Sequence, residues 1–471
     1  MDALTSILGK INDALYGNVL IIALIGLGLY FSIRTRFVQF RLFGEMFRVI
    51  KDETGTDKKG VSSFQAWTIS TASRVGTGNM AGVALAISGG GPGAVFWMWV
   101  VALIGGATSF VESTLAQVYK VKHGDTFRGG PSYYMDKALN AKWMGIIFSI
   151  LITITYGLIF NAVQTNTITV AFNQSFHVDR FWLGFAIMIL TGLIIFGGVQ
   201  RIANVTGYLV PIMAVIYVAV AIITLILNIT EVPKMFKLIF ENAFGIKEVV
   251  SGGIGAAVMH GVKRGLFSNE AGIGSAPNAA ATANVSHPAK QGLVQTLSVF
   301  TDTLLICSAT AFMILISGEW VNSSISDGIN LTQNALNTLI GSWGGPFVGV
   351  SIFLFAFSSL VGNYYYGESN IQFYTDKKGL LNVYRVFVLL MILFGAVTEV
   401  PFVWSLADLF MALMAITNLI AITLLGKIAF AVAKDYITQK KQGKDPVFKA
   451  SSIPWLKNVE CWGDTKETDE N

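Results

Sequence analysis

Apolar positions along this chain fall into long runs separated by short polar loops. A helix crossing a bilayer needs about 20 mostly apolar residues, and about eleven stretches qualify. They lie at 15–34, 62–89, 92–121, 143–172, 180–198, 204–229, 249–284, 291–317, 346–372, 381–397 and 402–433. Two shorter stretches, 37–50 and 232–244, mix apolar with charged positions and predict amphipathic helices lying along the surface.

Two of the long runs interrupt themselves. The second reads FQAWTISTASRVGTGNMAGVALAI, with Gly76, Thr77, Gly78 and Asn79 in its middle. The seventh contains FSNEAGIGSAPNAA, where Ser268, Asn269 and Glu270 precede Gly272 and Gly274, and Pro277 removes a backbone donor. Glycine is costly inside a helix. Broken backbone at membrane depth must face protein or a wet cavity, because lipid offers no hydrogen bonds.

Composition agrees with the pattern. Residues are 53% hydrophobic and 13% charged, with mean hydropathy +0.60, whereas soluble domains carry roughly a quarter charged residues. The net charge of +5 is no sign of nucleic-acid binding, because the basic residues sit mostly in loops between apolar runs. Loops after the odd-numbered spans are rich in Lys and Arg (Arg34 to Lys59, Lys120 to Lys142, Arg201, Lys290, Lys377 and Lys378), as is the tail from Lys434 to Lys466. The alternate loops are poorer; among them only the one after the sixth span, with Lys234, Lys237 and Lys247, carries several. The positive-inside rule then predicts an extracellular N-terminus and a cytoplasmic C-terminus in the cell membrane. Cys307 and Cys461 are unsuited to pair with each other, one lying in an apolar run and the other in the polar tail. The first apolar run lacks a small-residue cleavage site and reads as a retained membrane helix.

The breaks open what would be two five-helix halves, spans 2–6 and 7–11. An odd number of helices per half makes the second half enter from the opposite face, an inverted repeat with a discontinuous first helix in each half. The expected organisation is an extra N-terminal helix (1–34), an amphipathic helix and cytoplasmic loop (35–61), a first repeat (62–229), an extracellular amphipathic segment (230–248), a second repeat (249–433) and a cytoplasmic tail (434–471), expected to be mobile. Unwinding frees N–H groups that suit a carboxylate, and C=O groups that suit a small cation or an ammonium. An amino acid carries both end groups. Close helix packing through glycine is the competing reading of a single break; two in matching positions favour a binding site.

The stretches SRVGTGNMAGVA, FVESTLAQVYK, GLFSNEAGIGSAP and NYYYGE (363–368) resemble the alanine or glycine:cation symporter family, over nearly the whole chain from Phe37 to about Val432. The resemblance implies an all-α polytopic fold similar to that of the bacterial sodium:leucine symporters, with one extra helix in front. It also implies import of small neutral amino acids with sodium, or for some members protons. By matched position, the N–H groups of Thr77 and Gly78 would hold the substrate carboxylate beside Asn79. A sodium site would use carbonyls of Ala72, Val75 and Phe355 with Ser358 and Ser359 from LFAFSSLVGN. Neutral oxygen ligands of this kind suit a hard monovalent cation. No complete set for a second sodium site is legible.

Arg74 departs from the leucine symporters; a buried arginine is normally paired, and Glu112 and Glu270 are the candidates, whether as a gate or as a structural pair. Gln164, Phe267 and Asn363 are the expected lining side chains, joined in the second break by Ser268, Asn269, Ala271, Gly272 and Gly274. For Gln164, which shares its span with Asn161 and Asn166, and for Asn363, interhelical hydrogen bonding is the alternative. His260 lies in a span, while His123, His177 and His287 look like loop residues. No Walker loop, HExxH or GxSxG is present, and GTGNMAG lacks the strand of a dinucleotide site. The expectation is therefore a carrier rather than an enzyme, without cofactor, working as a monomer in lipid. The alternatives are a serine- or glutamine-preferring or proton-coupled carrier, and an ion channel.

Overall fold

The computed structural model describes residues 2–52, 60–124, 126–196, 198–246, 253–323 and 328–463, with the backbone alone described at 198–210. Among the predicted loop charges, Lys58, Lys59, Lys247 and Lys466 lie outside the described residues, as does the side chain of Arg201. The helices, in chain order, are α1 (Ala3–Arg34), α2 (Phe43–Ile50), α3 (Ser63–Arg74), α4 (Val83–Gly90), α5 (Gly93–Val118), α6 (Pro131–Lys137), α7 (Lys142–Phe176), α8 (Arg180–Ile195), α9 (Gly198–Leu227) and α10 (Val232–Ala243). The second half supplies α11 (Gly253–Asn269), α12 (Ala276–Thr282), α13 (Pro288–Ser317), α14 (Ile329–Ile340), α15 (Gly344–Tyr374), α16 (Lys378–Val397) and α17 (Val400–Lys441).

Among the described residues seven helices are long and apolar enough to cross a membrane, and an eighth span results if the pair meeting at 105° (Pro211–Leu227 and Val232–Ala243) is counted as one. The 16 residues of α8 form a shorter apolar helix. The two remaining predicted spans are α3 with α4 and α11 with α12, each interrupted where expected. The fold class is thus all-helical and polytopic. Elements not expected from the sequence include a hairpin of β1 (Val121–His123) and β2 (Thr126–Arg128), paired antiparallel with Lys122 opposite Phe127, the short helix α6 and the 12-residue α14.

Local chemistry explains both interruptions. Helix α3 starts at a capping box in which Ser62 and Gln65 exchange hydrogen bonds, and it ends where Val75 turns extended. A π-helical turn, Gly78–Gly82, then leads into α4. Helix α11 ends at Glu270, which is left-handed (φ +58), and Gly272 and Gly274 both sit at φ +90, a conformation that only glycine adopts cheaply. Pro277 falls in the first turn of α12, where its missing N–H has no helical partner in any case.

The breaks lie side by side at the centre of the bundle. Asn79 Nδ2 is 3.1 Å from Ser268 Oγ, and Ser73 Oγ is 3.1 Å from Glu270 Oε1. At the tail side, the start of α3 and the end of α12 are tied by a parallel bridge: Val61 N–H donates to Thr282 O (3.2 Å) and Asn284 N–H to Val61 O (2.9 Å). Around them, α3 packs on α15, while α11 packs on α4 and α5. The tail is not loose as far as residue 463. Phe448 N–H donates to Ser286 O (2.8 Å), Trp462 Nε1 donates to Gln117 O (2.8 Å), and Lys290 bonds both Asp52 and Asp445. Buried Phe448, Ile453 and Trp462 anchor this strap. Residues 464–471 lie outside the described residues.

Candidate functional site

The end of α3 leaves carbonyls without helical partners. Ser359 Oγ, from α15, lies 2.9 Å from Ala72 O, 3.3 Å from Val75 O and 3.1 Å from Phe355 O. All four residues are fully buried. One hydroxyl hydrogen faces three acceptors, so lone pairs are in excess, which is the condition a small cation satisfies. Ser358 stands beside them, but its hydroxyl bonds back to Phe355 O of its own helix (2.7 Å). Thus all five residues named from the sequence converge, and Ser359 is the side chain that bridges the two helices.

Immediately beyond Val75 the backbone donors find side-chain acceptors. Thr77 N–H and Thr77 Oγ1 both donate to Gln164 Oε1 of α7, at 3.0 and 2.7 Å. Gly76 N–H donates to Asn79 Oδ1 (2.9 Å). A side chain at Gly76 would place its first carbon 2.9 Å from Gln164 Oε1 and against the Ser359 hydroxyl, so any larger residue must displace both side chains. Gln164 therefore presents an sp² oxygen to the donor assigned to a carboxylate. Gly78 is packed differently: a Cβ there would lie 3.1 Å from both Phe267 Cδ1 and Ser268 Cα. A larger residue at 78 would pry the broken helices apart as well as fill a pocket.

Asn79 leads to a residue that the sequence reading missed. Its Nδ2 donates to Asp302 Oδ1 (2.6 Å) and to Ser268 Oγ. Asp302 Oδ2 accepts from Ser268 Oγ (2.8 Å) and Thr303 Oγ1 (2.9 Å). Those three donors to its carboxylate are all neutral, and Asp302 is fully buried within the π-helical turn Thr301–Cys307 of α13. Free Cys307 lies 3.1 Å from Ser268 Oγ. The signal was present: an acid inside the apolar run SVFTDTLLIC is costly unless it has work to do.

The second break divides into two parts. Phe267 is a wall, its ring 4.7 Å from Phe160 and 4.6 Å from Trp404. Ser268 joins the first break as described. Of the other residues named there, Asn269 is half occupied: its Oδ1 accepts from Ala271 N–H (3.0 Å), while its buried Nδ2 has no hydrogen-bond partner. Ala271 packs into a small apolar cluster with Ala102, Val299 and Phe300. Gly272 gives its N–H to Glu112 (3.1 Å) and its carbonyl to Asn418 (3.0 Å), while Asn418 also donates to Glu112 (2.8 Å). Gly274 O accepts from Asn278. The Gly272 N–H and the carbonyls of Gly272 and Gly274 are thus taken up by protein side chains, and Ala271 is packed among apolar ones.

Asn363 is likewise not beside Thr77. Its Oδ1 accepts from Ser73 Oγ (2.9 Å), the hydroxyl shared with Glu270, and its buried Nδ2 has no hydrogen-bond partner. Glu270 also accepts from Ser275 Oγ (2.7 Å). Arg74 approaches Glu270 at 3.9 Å and bonds Gln295 at 3.3 and 3.4 Å, with its Nε and NH2 unbonded. Of the two candidate partners, Glu270 is the one in salt-bridge range, and Glu112 serves Gly272 instead.

Asn166 bonds Gly395 O and Thr398 O of another helix, and Asn161 bonds back to Gly157 O, so of the two Asn166 bonds between helices. His260 is wedged against Gly89 and Gly90. His287 is not a loose loop residue: it is buried and caps α13 by accepting from Ala289 N–H. His177 terminates α7 in a left-handed conformation, and His123 lies in β1. Two cavities flank the breaks. One, of 220 Å³, lies toward the tail side and is lined by Val61, Arg128, Thr282 and Glu368 among others. The other, of 150 Å³, lies toward the N-terminal end of α11 beside Arg264, Trp404 and Asp408.

A family model described as "Sodium:alanine symporter family" matches residues 1–450. The amino-acid carrier protein AlsT of Bacillus subtilis (strain 168) is 57% identical over 444 residues, 94% of this chain and 95% of AlsT. A second protein of that organism, "Probable sodium/glutamine symporter GlnT", is 52% identical over 471 residues, 99% of this chain and 98% of GlnT. Among solved structures, MhsT in complex with L-phenylalanine superposes with a TM-score of 0.55 at 17% identity, covering 84% of this chain and 92% of that one, which shows a shared fold. With a family match over residues 1–450 and relatives more than half identical along almost its entire length, this chain belongs to the sodium:alanine symporter family.

Proposed function

We propose that the protein imports small neutral amino acids, alanine and glycine first among them, coupled to sodium entry by alternating access. The observation that carries this reading is the sharing of one break by two kinds of site. The Ala72 and Val75 carbonyls face Ser359, and two residues later Thr77 N–H faces an acceptor on Gln164. A cation in the oxygen cage fixes the backbone that presents the N–H groups, and a carboxylate on those groups fixes the carbonyls in turn. Such coupling is reciprocal by thermodynamic necessity. Gly76 sets the distance between the two, since a larger residue would push Ser359 and Gln164 out of place. Thr77, Gly78, Asn79, Gln164, Phe267 and Ser268 form the substrate side of this reading, and Ser358 stands in the cage's second rank.

The flanking cavities fit a two-sided carrier. Bonds between Val61 and Thr282 close the tail side, and the pairing of Arg264 and Lys263 with Asp408 closes the other. The distribution of loop charges supports a cytoplasmic tail side; a reporter fused after Asn471 is expected to be active only in its cytoplasmic form. Glutamine preference is a second reading, supported by the similarity to GlnT. Uptake into proteoliposomes tests the proposal. Labelled alanine should accumulate with an inward sodium gradient and not in choline, and a panel of unlabelled amino acids should rank the competitors. Current without any amino acid would instead mark a channel.

A further inference from the structure

We propose that the elbow joining α1 to α2, residues 34–47, is a docking site for acidic phospholipids, with lipid phosphate on three arginines and acyl chains on four phenylalanine rings. The site needs only that α1 crosses a membrane, whichever solute the protein moves. Helix α1 stops at a turn in which Arg36 and Phe37 are both left-handed, at φ +55 and +54, and Phe37 N–H donates back to Ser32 O (2.6 Å). That conformation is uncommon for side chains of this size. Both residues are exposed. Because α1 is long and apolar enough to span a bilayer as far as Arg34, the turn lies where hydrocarbon gives way to headgroups.

Beyond the turn the rings fall into line. Phe37 stacks with Phe40 at 6.5 Å, and Phe43 meets Phe47 edge-on at 5.3 Å. All four are between 47% and 50% exposed, while Met46 and Val49 on the other side of α2 are buried. The cations beside these rings are free of acids: Arg34, Arg36 and Arg41 form no ion pair among the described residues. Arg34 lies over the Phe430 ring at 5.2 Å and Arg41 donates to Thr35 O (3.3 Å), so two of the three are positioned by uncharged groups. Farther along α2, by contrast, Arg48 is taken by Glu45 and Asp445. Uncompensated cations beside an exposed apolar face complement a molecule that carries a negative phosphate above hydrocarbon chains.

The other surface helix shows that an aromatic face alone is not the signal. Helix α10 exposes Phe236 and Phe240, but its Lys234 and Lys237 pair with Glu231 and Glu241, at 2.8 and 3.8 Å. The elbow also touches the interior. Phe40 and Phe43 lie 6.4 and 6.3 Å from Phe300, the residue before the π-helical turn whose Asp302 bonds Asn79. Phe300 in turn abuts α5, where a Cβ at Gly106 would lie 3.1 Å from its ring. A lipid seated on the elbow therefore bears on α13 next to the first break.

Thermal unfolding of the purified full-length protein in neutral detergent, followed as dioleoylphosphatidylglycerol or dioleoylphosphatidylcholine is added, tests the docking site. A ligand that binds the folded state raises the midpoint, so phosphatidylglycerol should raise it and phosphatidylcholine should not. Each arginine near an acidic lipid is worth about fivefold in affinity, so the Arg34→Gln/Arg36→Gln/Arg41→Gln variant should need on the order of 100 times more phosphatidylglycerol for the same shift. Arg36 makes no side-chain hydrogen bond or ion pair among the described residues. Arg36→Gln should therefore keep the wild-type midpoint without lipid and need about fivefold more phosphatidylglycerol, a result that stands even if the triple variant does not fold. Lys234→Gln/Lys237→Gln should respond as the wild type does. Arginine variants that respond like the wild type, or a wild type that responds to both lipids alike, would overturn the site. An equal response to inorganic phosphate at the same concentration would assign the arginines to a free anion, and a response to polyglutamate without one to phosphatidylglycerol would assign the face to an acidic protein; either overturns the lipid.

Discussion

Replacing Ser359 by alanine removes the one side-chain oxygen that touches both halves of the proposed cation cage. It contacts three carbonyls, at 2.9, 3.1 and 3.3 Å, and two of these belong to the broken helix. The carbonyls remain after the substitution, so the cage loses a single ligand rather than collapsing. An interaction with a charged group contributes about 1.5–3 kcal/mol. At 1.4 kcal/mol per factor of ten, the sodium concentration for half-maximal uptake should rise roughly 10- to 150-fold. Ser358→Ala should do much less, because that hydroxyl bonds only Phe355 O of its own helix. Apparent alanine affinity should fall at low sodium and recover at saturating sodium, since Thr77 and Gln164 are untouched and the coupling is reciprocal. The assay is alanine uptake into proteoliposomes across a sodium series, with the amount of reconstituted protein measured. An unchanged sodium dependence in the Ser358→Ala/Ser359→Ala double variant would refute the cage.

Three further predictions follow from the same geometry. Gly76→Ala should abolish uptake with the protein still folded, because its methyl would sit 2.9 Å from Gln164 Oε1 and against Ser359; near-normal transport would show that the two sites are not abutted. Asp302→Asn keeps shape but removes a buried carboxylate whose hydrogen bonds come from Asn79, Ser268 and Thr303; uptake measured against external pH should become flatter than in the wild type if this carboxylate takes part in coupling, and an identical profile would exclude it. Glu45, on surface helix α2, is affected by burial, which alone would raise its pKa, but hydrogen bonds from Arg48, Lys440 and Tyr436 outweigh that and hold it at about 2, against an ordinary 4.5. A lowered folded-state pKa gives stability that is present above 4.5 and is lost as pH falls toward 2; Glu45→Gln should therefore melt earlier at neutral pH and lack that acid-side decline.

The sequence by itself determined the medium, the all-helical class and the two places where helices fail. Those follow from quantities that add up locally: run length against bilayer thickness, and the cost of Gly76, Gly78, Gly272, Gly274 and Pro277 inside otherwise apolar helices. Family-specific stretches further indicated which oxygens would form the proposed cage, and Ala72, Val75, Phe355, Ser358 and Ser359 lie together. What the sequence left open was which polar groups face one another. Asp302 and the Arg264–Asp408 pair were not singled out, Asn363 was expected at the substrate and lies with Ser73 and Glu270, and Gly272 was expected to face a ligand and is held by Glu112 and Asn418. Each of these depends on the rotation and depth of one helix against another. In a soluble protein the polar stripe of a helix marks its outer face and fixes that rotation. In a membrane the lipid-facing and core-facing sides are both apolar, so hydrophobic periodicity carries little orientation, and close packing together with interhelical hydrogen bonds decides it.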